Sequence, residues 1–139
     1  MHGFVRASMP WVLICVTAMF LGCAEAQLIR QPPSQVPISD FKQVAGKWEG
    51  LLTPVPRKRE DWVELRIKED GAYHFSSFRM MGEFFGSGTL MLTDGKMMTE
   101  GDRGKAIFIL YESDGGRMLK VDATMKSGLQ YTAELTPAK

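Results

Sequence analysis

A chain of 139 residues is long enough for one domain with its own core. Its 17 Lys and Arg against 16 Asp and Glu leave a net charge of +1, which argues against a nucleic-acid partner, since phosphate binding needs a net basic surface. Both cysteines, Cys15 and Cys23, fall at the N-terminus, so the remainder has no disulfide and must be held by its own packing.

The first element in chain order reads as an export leader. Met1 to Arg6 carries one positive charge and no acid, and Trp11–Leu21 is apolar apart from Thr17. That run has the length of a signal-peptide core and is too short to cross a bilayer as a helix. Pro10 and the missing amphipathic stripe oppose a buried helix instead. Two cut sites compete. Ala24-Glu25-Ala26 has the small-x-small pattern of ordinary secretion, giving a signal peptide over residues 1–26. Phe20-Leu21-Gly22-Cys23 resembles a bacterial lipobox, which implies a cut after Gly22 and a lipidated Cys23 as the chain's membrane anchor. Either way the protein is expected outside the cytoplasm: periplasmic, anchored to the outer membrane, or extracellular.

Gln27–Ser39 contains three prolines and little charge and reads as a flexible tether. Asp40–Ala45 suits a single helical turn with Ser39 or Asp40 as its cap. From Gly46 the period becomes two: Val63, Leu65 and Ile67 alternate with Glu64, Arg66 and Lys68, and similar runs occupy 119–124 and 129–135. Between such runs stand turn signals: Asp70-Gly71, Asp94-Gly95, Gly101–Gly104, Asp114–Gly116 and Lys126–Gly128. Gly82–Gly88 reads as a flexible entry into a strand over Thr89–Thr93. The count is about eight short antiparallel strands, each joined to its neighbour in sequence. Residues 40–139 are therefore expected to form an all-β domain, an up-and-down barrel rather than a two-sheet sandwich, because closure removes exposed strand edges.

Within the first strand, Gly46-Lys47-Trp48-Glu49-Gly50 resembles the G-x-W motif of lipocalins and lipocalin-like bacterial proteins. The resemblance implies an eight-stranded barrel with Trp48 packed across one end, and a binding function inside it. On strand alternation the inward residues are Trp48, Leu52, Leu65, Ile67, Tyr73, Phe75, Leu90, Leu92, Leu119, Val121, Leu129 and Tyr131. Trp48 is more readily a core residue than a ligand-stacking one. Gly50, on the same face, is expected to relieve crowding beside its ring.

Chemistry finds little to stand on. His74 is the one histidine beyond the leader, and its alternation with Tyr73 and Phe75 places it outside. A metal site needs several ligands and a general base needs an oriented partner. Neither a nucleophile elbow nor a phosphate loop occurs, and adjacent acids such as Glu60-Asp61 are ordinarily solvated. No cofactor or metal is expected, and no enzymatic activity. Arg57-Lys58-Arg59 lies in the longest connection, after the first strand, where cations can meet anionic headgroups or an acidic ligand. Residues 105–111 are apolar on both faces, so their outer face needs cover. The leading expectation is an exported binder of a small hydrophobic molecule or lipid. The alternative is an envelope protein-interaction module, such as an inhibitor of a secreted hydrolase, acting through its loops.

Overall fold

The computed structural model describes residues 32–56, 59–77 and 86–139. Ten strands follow in chain order. They are β1 (Ser34–Val36), β2 (Gly46–Val55), β3 (Asp61–Ile67), β4 (Ala72–Ser77) and β5 (Gly86–Thr89). The second half comprises β6 (Met91–Thr93), β7 (Lys96–Gly101), β8 (Gly104–Ser113), β9 (Gly116–Met125) and β10 (Gln130–Pro137). All pair antiparallel in the order β5-β4-β3-β2-β10-β9-β8-β7-β6, with β1 beside β8.

The two ends of that order, β5 and β6, are separated in sequence by Leu90 alone. They are two halves of one line: β5 pairs with β4, and β6 pairs with β7. The sheet thus bends round into a nearly closed all-β barrel, as the alternation and hairpin order predict. Gly86–Gly88, expected as part of a loose entry, is itself strand, and the expected strand Thr89–Thr93 is broken at Leu90, while residues 82–85 of that entry lie outside the described residues.

Turn chemistry matches local geometry. Asp94 and Gly95 have φ of 50° and 72°, the left-handed pair that a tight hairpin requires. Gly46 opens β2 at φ 126°, a conformation that side chains disfavour. Gly50 has a different task. A Cβ there would overlap the Glu134 carbonyl oxygen and lie 3.1 Å from Leu135 Cα, so glycine lets β10 approach β2 closely. The crowding it relieves is therefore with the neighbouring backbone, not with the Trp48 ring.

Burial follows the period of two. Along β3, Asp61, Val63, Leu65 and Ile67 are buried while Trp62 and Arg66 are exposed. Leu65, Leu119, Leu135 and Met97 are fully enclosed, each contributing roughly 1.5–3 kcal/mol by leaving water.

Strand direction gives the barrel two distinct ends. The turns at Asp70–Gly71, Asp94–Gly95 and Asp114–Gly115 share one end with the start of β2. The N-terminal segment covers it. Of the expected tether, residues 27–31 lie outside the described residues. Ser34–Val36 pairs with β8, Ile38 donates to the Gly95 carbonyl at 2.9 Å, and Ile38 is buried. The packed unit therefore begins before Asp40, because Val36 and Ile38 supply apolar cover to the barrel floor. The expected helical turn is a 3₁₀ turn at Phe41–Gln43, and Asp40 caps it by accepting from the Lys42 amide at 3.0 Å. Val44 is buried in the same floor.

Trp48 completes the plug. Its indole N–H donates to the Val44 carbonyl at 2.7 Å, and the Arg117 guanidinium lies 5.8 Å from the ring centroid. Arg117 also donates to the Gln43 carbonyl, tying β9 to the N-terminal segment.

Candidate functional site

With one end plugged, the interior empties toward the other. A cavity of about 590 Å³ opens there, lined by inward residues of β2, β4, β8, β9 and β10. Its walls are mainly apolar: Leu52, Phe75, Phe108, Val121, Ala123 and Met125. Room arises where small residues meet. Ala106 of β8 and Ala123 of β9 are direct cross-strand partners, and both border the cavity.

The rest of the rim comes from β5 and from the β7–β8 connection, Thr99–Lys105. β6 holds β7 only as far as Met98, and β5 is paired only with β4 among the described residues. Past Leu90 the two strands therefore part, and both edges border the cavity. Tyr73 reaches behind β5, with its hydroxyl 3.4 Å from the Thr99 hydroxyl. Gly88 leaves it room, since a Cβ there would meet the Tyr73 ring at 3.0 Å. The Tyr73 and Phe108 rings lie 6.4 Å apart, tilted by 56°.

The twelve residues expected inside divide into three groups. Leu52, Tyr73, Phe75, Val121 and Tyr131 border the cavity. Trp48, Leu65, Ile67, Leu90 and Leu119 are buried and fill the floor and walls instead. Leu92 and Leu129 are corrections, being 37% and 52% exposed. Leu92 sits one step from the Asp94–Gly95 turn at the plugged end, where its partner Met97 holds the buried place. Leu129 precedes β10 and lies in a turn, so strand alternation does not govern it.

Strand reading overlooked Ala106, Phe108, Thr99 and Met125. Inward parity along β7, β8 and β9 identifies them, and the two alanines at inward positions are the signal for space.

Several polar expectations can be placed. His74 is exposed, with Nδ1 2.8 Å from the Ser87 hydroxyl on the outer wall. Asp61 departs from expectation. It is only 5% exposed, faces inward at the start of β3, and accepts a hydrogen bond from buried Ser77. Neither borders the cavity. Arg59 is exposed, while Arg57, Lys58 and Cys23 lie outside the described residues.

On the outer wall, Glu64 meets Lys47 at 2.9 Å and Arg66 at 2.7 Å. The Lys47 ammonium, then the Arg66 guanidinium, holds its carboxyl below the usual glutamate range. Ile107 and Ile109 of β8 face outward and are half-buried. Among the described residues no group of three or more His, Cys, Asp or Glu comes together as a metal site. The rim thus offers hydroxyls and a hairpin bearing two acids and two cations, Glu100, Asp102, Arg103 and Lys105, above a mainly apolar wall.

Comparison with protein-family models, with curated proteins and with solved structures returned no match.

Proposed function

We propose that this is an exported, lipocalin-like binding protein that holds a small apolar molecule or lipid inside its barrel. The observation that carries the reading is the cavity. A volume of about 590 Å³ falls in the ordinary range for small-molecule sites, roughly 300–1,000 Å³. Its walls are apolar, and its floor is sealed by Trp48, Ile38 and Val44. Apolar surface left open to water in this way gains by covering itself with a ligand of similar character. The chemistry of the lining supports binding rather than catalysis, and the leader with Cys23 supports export.

Titration of the protein from Gln27 onward with a fluorescent fatty-acid probe tests the reading. Saturable binding is expected, displaced by unlabelled fatty acid. Ala123→Phe places a ring in the cavity and is expected to weaken binding at least tenfold while leaving the circular dichroism spectrum unchanged. Absence of saturable binding, or equal binding by a folded Ala123→Phe protein, would sink the proposal. The mass of the processed N-terminus decides between a lipidated Cys23 and a free end.

A further inference from the structure

The cavity is layered rather than uniform. Thr99, Ala106, Ala123 and Tyr131 are cross-strand partners in turn, and all four border the cavity. One layer nearer the plugged end come Met97, Phe108, Val121, Ala133 and Leu52, again partner to partner, and every one is apolar. The Tyr73 hydroxyl joins the first layer, because it reaches from β4 to the Thr99 hydroxyl. Two hydroxyls thus stand over an apolar chamber, in the layer where paired alanines leave space.

Their mutual contact leaves most of their bonding capacity unused. At 3.4 Å it is longer than the roughly 2.5–3.0 Å of an ordinary O–H···O bond. Each hydroxyl has one donor and two acceptor positions, and one long contact engages few of them. Both side chains are half-buried and border the cavity, so a guest in it reaches them directly. A guest oxygen about 2.8 Å from both completes the set, donating to one and accepting from the other.

Charge is held away from this layer. The charged residues among those lining the cavity are Glu100, Asp102, Arg103 and Lys105, all exposed in the β7–β8 hairpin and two of each sign. Glu100 and Lys105 are cross-strand partners whose parity, opposite to that of Thr99 and Ala106, faces them outward. An ionised end group drawn down to the hydroxyl layer leaves water without a counter-charge, which is costly. A hydroxyl or carbonyl oxygen exchanges its water for the two protein hydroxyls at little cost.

We propose that Tyr73 and Thr99 hold the end group of the bound molecule, and that this ligand is a neutral amphiphile: an apolar body ending in one hydroxyl or carbonyl oxygen. The assignment rests on the cavity being the binding site. The apolar body fills the chamber between Leu52, Phe108 and Val121, and the oxygen stops at the layer above. A few polar groups in an apolar pocket fix orientation and specificity in this way. A fatty acid still enters on the strength of its chain, with its carboxylate hydrated at the mouth.

The test displaces N-phenyl-1-naphthylamine, a neutral and oxygen-free fluorescent reporter, from the chain from Gln27 onward near neutral pH. The competitors are octanol, octanoate and octylammonium, which share one chain length. Octanol is expected to compete at about tenfold lower concentration than either ion. Tyr73→Phe keeps the ring that lies against Phe108, and Thr99→Val keeps the outline of the side chain. Each is expected to lower octanol affinity about fivefold, while the affinities of the reporter and of both ions stay within about twofold.

Either ion competing as well as octanol overturns the proposal. So does octanol affinity left unchanged by either substitution while the reporter still binds. Parallel loss of reporter and octanol binding in both variants overturns it in favour of a structural role for the pair. Absence of saturable reporter binding by the wild type is a separate failure: it removes the cavity as a site, and the end-group assignment with it.

Discussion

Replacing Gly50 with alanine probes the seam that joins the first and last long strands of the barrel. Gly50 faces Leu135 on β10 and Val63 on β3, so it is paired on both sides. A Cβ would overlap the Glu134 carbonyl oxygen and lie 3.0 Å from its carbon, where ordinary carbon contacts are about 3.5–4.0 Å. Every atom it meets is backbone, so no rotamer change gives relief. β10 must move away, and the neighbouring ladder hydrogen bonds lengthen with it. Overpacking of this kind costs about 1–3 kcal/mol, and each weakened backbone bond adds up to about 1 kcal/mol. Alanine returns about 0.5–1 kcal/mol through its lower backbone entropy in the unfolded chain. The net loss is about 2–4 kcal/mol, to be measured by urea unfolding followed by circular dichroism. Gly86→Ala is the control: a Cβ there meets nothing within 4 Å, and the expected change is under about 0.5 kcal/mol. Equal stabilities for the two variants would refute a tightly closed β2–β10 seam.

Further outcomes concern other parts of the structure. Trp48→Phe removes the indole donor from the buried Val44 carbonyl and is expected to destabilise by about 1–3 kcal/mol, read from thermal unfolding. Gly46→Ala meets no atom within 4 Å, yet at φ 126° it is expected to cost about 1–2 kcal/mol from backbone strain alone, again by urea unfolding. Glu64 is paired mainly with Lys47, and its folded-state pKa is depressed. Its stabilisation is therefore fully present above the unfolded-state value of about 4.5 and is lost as pH falls through the lower folded value. As an exposed pair it contributes about 0.2–1 kcal/mol, so Glu64→Gln is expected to lower stability by that amount at pH 7 and to match the wild type at pH 2. Gly88→Val is expected to push the Tyr73 ring from its place behind β5, changing probe affinity by severalfold with only a modest loss of stability.

How far the strands were legible depends on the kind of residue that marks them. Asp94-Gly95 announces its own turn, because the φ values it adopts are the ones those two residues tolerate. Val63, Leu65 and Ile67 announce an inner face because alternate positions on a strand face one way. Gly86–Thr89 was harder to place, since a strand of Gly, Ser and Thr has no apolar face to betray it and is identified only by pairing with β4. Ser34–Val36 and Ile38 resemble a linker in composition, yet the open floor of the barrel recruits them.

The site divides in the same way. Leu52, Tyr73, Phe75, Val121 and Tyr131 follow from parity alone, whereas parity misplaces Leu92, in a three-residue strand beside the turn at the plugged end, and Leu129, in the turn before β10. What the amino-acid order determined by itself is an all-β meander with one dry face, since period and turn chemistry are local properties. Only the tertiary structure decided which inward residues enclose space and which fill it. That depends on where Trp48 plugs the barrel beside Arg117, where Ala106 meets Ala123, and where β5 parts from β7, and each of these is a meeting of residues distant in sequence. The same holds for the inward turn of Asp61, which depends on Ser77 sixteen residues away.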